Sequence, residues 1–281
     1  MAGECLPQTF GKKRENKKIK GDLFKVLSVG VSLIGPEPTT AYVVVVIFVA
    51  TLIRSTFGFG EALIAVPMLA LRLPVKIAAP LAVLVSTVVA GVVVVQDWRH
   101  MELRSAIGLI LSALPGIPLG VMLLAMGDQH AVKLILGILI IGFSIYSLTT
   151  RTARRLPEDH YGWLLGCGFL SGVLGGAYGM NGPPLAIYGA LRRWTPQHFR
   201  ATLQGYFLPA SIVGLIGYAA LGLWGGVLTR YFLSSLPAVA AAILMGRVIN
   251  QRMKGPGFFR FVYVGLIAVG SLLLVQASMG R

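Results

Sequence analysis

Acidic residues are scarce in this sequence: 10 Asp and Glu stand against 25 Lys and Arg among 281 residues, and charged residues of both signs make up only 12% of it. A soluble protein averages about 25% charged residues, so a water-facing surface of ordinary composition is excluded. Two cysteines, Cys5 and Cys167, exclude a disulfide framework, since one falls in a basic tail and the other inside an apolar run. His100, His130, His160 and His198 lie in or near polar breaks with no ligand-like spacing, so neither a metal nor a cofactor is expected. No G-x-x-x-x-G-K-[ST] is present, which excludes a P-loop. Gly58-Phe59-Gly60 lacks the third glycine of a dinucleotide fingerprint, and H-E-x-x-H and G-x-S-x-G are missing, so no membrane protease or lipase is indicated.

What is abundant is apolar. Hydrophobic residues form 56% of the chain, mean hydropathy is +0.77, and apolar runs of about 18 residues or more recur, each long enough to cross a bilayer. In that setting 35 glycines and 15 prolines point to close helix packing and broken membrane helices. The fold class expected is an all-α polytopic membrane protein, because lipid leaves an open strand without hydrogen-bond partners and the short alternating segments of a barrel are missing.

Apolar runs cover Ala41–Ile53 and Ala62–Leu73, then about 77–96, 105–126 and 131–148. A polar linker, Thr149–Tyr161 with Arg151, Arg154 and Arg155, divides the chain. Beyond it lie Trp163–Leu174, Pro183–Leu191, and runs of about 201–224, 227–246 and 258–277. The reading is a basic cytoplasmic tail over 1–36, a first membrane repeat over 37–150 and a second over 151–281. Lys12, Lys13, Arg14, Lys17, Lys18, Lys20 and Lys25 make the tail strongly basic; beside membrane spans this reads as attraction to anionic lipid, with no nucleic-acid motif. Leu23–Ile34 carries Lys25 and no A-x-A site follows, so cleavage as a signal peptide is not expected. Positive charge also favours the 149–161 and 247–260 loops in the cytoplasm, leaving the loops at Asp128 and Gly222–Leu228 outside.

The halves resemble each other. Each opens with a run interrupted by a polar, glycine-rich break, Arg54–Glu61 in one and Gly175–Gly182 in the other, and about three spans follow. Phe57-Gly58-Phe59-Gly60-Glu61-Ala62 aligns with Tyr178-Gly179-Met180-Asn181-Gly182-Pro183, and Pro74-Val75-Lys76 with Pro196-Gln197-His198. Interrupted segments at matching places in two halves point to a transporter's binding site. Whether the repeats are parallel or inverted stays open.

A half-helix that starts inside the membrane offers unpaired N–H groups and the positive end of its dipole, which favour an anion. The expected binding residues are Gly58, Gly60, Gly179 and Gly182 through the backbone. Ser55, Thr56 and Asn181 add hydroxyls and an amide, and Arg54 and Arg200 add guanidinium groups suited to an oxyanion. Glu61 has two open readings: a buried carboxyl that takes up a proton as the anion binds or leaves, or a cap or ion pair with Arg54.

Arg54-Ser55-Thr56-Phe57-Gly58-Phe59-Gly60-Glu61-Ala62-Leu63-Ile64-Ala65-Val66-Pro67 resembles the first signature of the TauE/SafE sulfite exporter family, also called the 4-toluene sulfonate uptake permease family. Gly175-Gly176-Ala177-Tyr178-Gly179-Met180-Asn181-Gly182-Pro183-Pro184, with Tyr188 and Phe199-Arg200-Ala201-Thr202, resembles the second signature and the span after it. In layout the likeness covers about residues 40–277. It implies a secondary transporter, not an enzyme, that moves sulfite, sulfonates or thiosulfate across the cell membrane, usually outward. The first break departs from the family pattern in carrying Gly-Phe-Gly-Glu, and the second carries Asn-Gly-Pro-Pro. The partners implied are a small sulfur oxyanion or sulfonate and membrane lipid, with a homo-oligomer left open. A passive anion channel would share the same lining. A sulfur enzyme using Cys167, or an assembly subunit, stands further off.

Overall fold

The computed structural model describes residues 38–58, 60–97, 102–149, 161–192 and 196–252, with six helical positions between 267 and 278. The basic tail, the arginines of the central linker and most of the 258–277 run lie outside the described residues. Those described form ten helices and no strand. In the first half α1 spans Pro38–Phe57, α2 Glu61–Ala70, α3 Val75–Asp97, α4 Leu103–Ala113, α5 Gly116–Met126 and α6 Gln129–Thr149. In the second, α7 spans Tyr161–Tyr178, α8 Gly182–Leu191, α9 Pro196–Ala220 and α10 Gly226–Arg252.

Four of these, α1, α3, α9 and α10, contain stretches long and apolar enough to cross a membrane, and α4 and α5 are together long and apolar enough, as a pair bent by 44°. The bend interrupts what reads in sequence as one run over 105–126. Pro115 has no N–H to continue the ladder and its ring crowds the preceding turn, which is the ordinary cause of such a kink. Large apolar side chains such as Ile107, Leu111, Met126 and Ile138 face outward. Thr51, Arg54, Glu61, Ser86 and Gln204 are buried. That distribution suits a hydrocarbon solvent, and the chain is a multi-pass membrane protein.

Both breaks are narrower than the sequence suggests. Arg54, Ser55 and Thr56 belong to the last turns of α1, and Gly175 and Gly176 to the last turn of α7. Glycine fails to break α7 because its absent side chains are what the neighbouring helices require. A Cβ on Gly172 would strike the Ala113 carbonyl, and one on Gly176 that of Ile117. Reciprocally, a Cβ on Gly116 or Gly120 would strike the carbonyls of Phe169 or Val173. Small residues four apart thus let α7 lie directly on the α4–α5 backbone, the close approach that membrane helices use in place of a hydrophobic drive.

The packing crosses between the halves. α1 lies along α10, α7 along α4 and α5, and α3 along α9. The short helices α2 and α8 tuck in beside α1 and α3 and beside α7, respectively. Lys76, at the start of α3, donates from Nζ to the Ala125 carbonyl at 2.8 Å, satisfying an orphan acceptor at the end of α5.

Candidate functional site

The two breaks are built alike. At the end of α1 the Gly58 N–H donates to the Arg54 carbonyl at 2.6 Å, with φ of +91° at Gly58. At the end of α7 the Gly179 N–H donates to the Gly175 carbonyl at 2.8 Å, with φ of +67° at Gly179. Each is a left-handed termination that a side chain would strain. Gly60, φ +97°, then starts α2 with no side-chain cap, so the first N–H groups of that helix keep their donors. The second break offers fewer: Gly182 starts α8 and is followed by Pro183 and Pro184, neither of which has an N–H.

The starts of α2 and α8 meet across one narrow cleft with an interior volume of ≈ 20 Å³, room for about one water. Gly60, Glu61, Ala62 and Leu63 line it from the first break, and Gly179 to Pro183 from the second. Arg54, Ser86 and Phe207 complete the wall.

Arg54 organises this place. It is only 3% exposed and Glu61 only 2%, which would be prohibitive for either charge alone. Arg54 Nη1 donates to Glu61 Oε2 at 2.5 Å and to Ser86 Oγ at 2.5 Å, and Nη2 donates to Gln204 Oε1 at 2.7 Å. Its guanidinium carbon stands 5.1 Å from the centre of the Phe207 ring, within cation–π range. Glu61 Oε1 accepts from Thr51 Oγ1 at 3.0 Å. Gln204 Nε2 in turn donates to the Gly58 carbonyl at 2.6 Å, tying α9 to the first break. Among the described residues Arg54 Nε has no partner, so at least one of the five N–H groups of the buried guanidinium is left unspent.

Of the residues singled out in the sequence, the structure brings Arg54, Gly60, Glu61, Gly179, Asn181 and Gly182 to the cleft. Gly58 stands behind it, held through its carbonyl. Ser55 and Thr56 are not among the lining residues: Ser55 packs against Gly246 of α10, and Thr56 Oγ1 donates to the Leu52 carbonyl at 2.8 Å. Asn181 has its amide oxygen set against Gly175, where a Cβ would collide with it, and its main-chain carbonyl accepts from Ser171 Oγ at 2.8 Å. Arg200 lies in the second turn of α9, with its side chain outside the described residues. Cys167 is buried on α7 and does not line the cleft. The ion-pair reading of Glu61 is realised. Ser86, Gln204 and Phe207 were not anticipated; the only sequence signal for the first two is a polar residue inside an otherwise apolar run.

The two helix breaks thus meet beside a buried ion pair. The family described as sulfite exporter TauE/SafE matches residues 43–273. The chain belongs to that family. One TauE/SafE relative, a protein of Cupriavidus necator described as a probable sulfite/organosulfonate exporter TauE, is 24% identical over 224 residues. The match covers 79% of this chain and 87% of the relative. No solved structure matches the chain. The TauE/SafE match contains both breaks and every described residue of the cleft, and leaves the basic tail outside.

Proposed function

We propose that this TauE/SafE member is a secondary transporter of small sulfur-containing anions (sulfite, sulfonates or thiosulfate) that carries them out of the cell together with a proton. The anion sits in the cleft between the two breaks. One observation carries this reading: the starts of two half-helices, one from each half of the chain, line a single cleft around a buried arginine with an unspent N–H. Helix starts and a guanidinium are what a desolvated oxyanion needs.

The ion pair supplies the proton linkage. With Arg54 and Glu61 both charged the cleft is neutral, and an anion added to it would be an uncompensated buried charge. At about 5 Å, with an effective dielectric constant near 20, two like charges repel by roughly 3 kcal/mol. A proton on Glu61 removes that repulsion and frees Nη1 of Arg54 for the anion. Loss of the proton lets Glu61 reclaim Arg54 and expels the anion. Binding of anion and proton are thereby mutually favourable, as linkage requires.

The packing supports a duplicated architecture of tail 1–36, repeat 37–150 and repeat 151–281, each repeat opening with an interrupted helix. The first helix of each half lies on the third span of the other, and the second spans lie on each other, a pattern unchanged when the halves are exchanged. Alternating access follows from one repeat rocking against the other about the cleft.

The test is sulfite efflux from proteoliposomes holding only this protein, with and without an imposed pH gradient. Saturable efflux that responds to the gradient is expected. Absence of flux above empty liposomes for sulfite, sulfonates and thiosulfate alike would overturn the transport reading.

A further inference from the structure

Apart from the transport cleft, we infer that a second cavity, where the two halves meet, holds the phosphate headgroup of an anionic phospholipid whose acyl chain leaves it over α4 and α7. The cavity has a volume of ≈ 500 Å³, within the span of about 300–1,000 Å³ usual for sites of organic ligands. Its polar end is built by Glu102 and Arg104 at the start of α4, Tyr161 at the start of α7, and Arg192 just beyond α8. Its apolar wall is Leu111 of α4 with Leu164 and Leu165 of α7. Among the described residues none lines both this cavity and the cleft. Helix α8 runs from one to the other, with Gly182 at the cleft and Arg192 past the far end.

Charge sets the sign of the occupant. Arg104 and Arg192 stand against Glu102, and Arg192 Nη2 lies 3.6 Å from Glu102 Oε1, an ion-pair distance longer than a hydrogen bond. The chain next to these residues in sequence keeps that sign: Arg99, Arg151, Arg154, Arg155 and Arg193 outnumber Asp97, Glu158 and Asp159. The helix starts of α4 and α7 favour a phosphate and the end of α8 opposes it, so the arginines decide. Size and shape then set the class. A water's share of liquid is about 30 Å³, and sulfite, with four heavy atoms, takes up only a few such shares and would leave most of the space unfilled. Leu111 and Leu165 are exposed and carry the wall out into hydrocarbon. Tyr161, also exposed, has the amphipathic ring that settles at headgroup level. An occupant anionic at one end and apolar along its length matches all of these, and basic pockets between membrane helices are where anionic headgroups bind.

The test compares phosphatidylglycerol with phosphatidylcholine of the same chains, read as lipid retained by the full chain in native mass spectrometry. The wild type is expected to keep phosphatidylglycerol in preference. Arg104→Gln and Arg192→Gln are each expected to lower that preference by roughly fivefold, the scale of one basic residue at an anionic membrane surface. Arg104 is exposed, so its exchange leaves the fold intact and the comparison readable. Sulfite or glycerol 3-phosphate in excess is expected to leave the bound lipid in place. Equal retention of the two lipids, the result if the chain's own linker fills the space, would overturn the lipid site, as would a preference unchanged in both variants. Displacement by sulfite would overturn it too and hand the cavity to the transported anion. None of these readouts depends on flux, so the lipid site and the transport reading stand or fall separately.

Discussion

Arg54 and Glu61 hold each other inside the membrane, and each is tolerable only because of the other. Removing one partner of a buried pair strands a charge at a cost of about 3–5 kcal/mol, whereas replacing both by neutral groups of similar size is close to neutral. Arg54→Met alone is therefore expected to lower the yield and melting temperature of folded protein, and Arg54→Met with Glu61→Gln to recover both while sulfite flux stays lost; thermal unfolding and efflux on the same preparations check this. Glu61→Gln alone keeps the shape of the side chain but cannot exchange a proton. Its flux is expected to stop responding to an imposed pH gradient, and an unchanged gradient response would remove Glu61 from the coupling. Gln204→Leu loses the bonds to Arg54 and to the Gly58 carbonyl, two contacts worth about 1–3 kcal/mol together, and is expected to reduce efflux by roughly tenfold through a misplaced Arg54. Arg54 and Glu61 were legible in sequence because intramembrane charges are conspicuous. Gln204 was not. Its partners lie 146 and 150 residues away, and a single amide in an apolar run carries no sign of what it meets.

Helices here are shaped by where glycine and proline fall, but the two uses of glycine are opposite. In α7, Gly172 and Gly176 permit contact with neighbouring backbone. A larger residue at Gly172, such as leucine, is expected to abolish recovery of folded protein. Gly166→Ala on the same helix, with open space around the added carbon, is expected to be neutral or to stabilise by up to about 1 kcal/mol through helix propensity. In the breaks, glycine is needed for its backbone. Gly60→Ala has free space and should suffer only the left-handed penalty, about 1–2 kcal/mol. Gly179→Ala meets Val83 in addition, at 2.8 Å from the added carbon, and should be the worse of the two in a melting comparison. Sequence showed that both regions were glycine-rich without separating these roles, and so drew the second break too wide. A run of apolar letters likewise hid the bend at Pro115, since hydropathy is blind to a missing N–H.

At the scale of the molecule, the halves are interleaved. α1 rests on α10 and α7 on α4–α5, so each half buries its first helix in the other. Fragments divided within the 150–160 linker are expected to be degraded when expressed alone and to recover sulfite efflux when expressed together; a stable, folded single half would contradict that dependence. The family and the membrane class were readable from two short windows and the composition, whereas the exchange of helices between halves depends on contacts that no local pattern encodes. The left-handed ends of α1 and α7 have a longer reach. Because the cleft owes part of its polarity to main chain, an exchange of one side chain cannot delete that part. On the proposed anion-binding reading, a single side-chain exchange would then retune the cleft without removing its backbone donors.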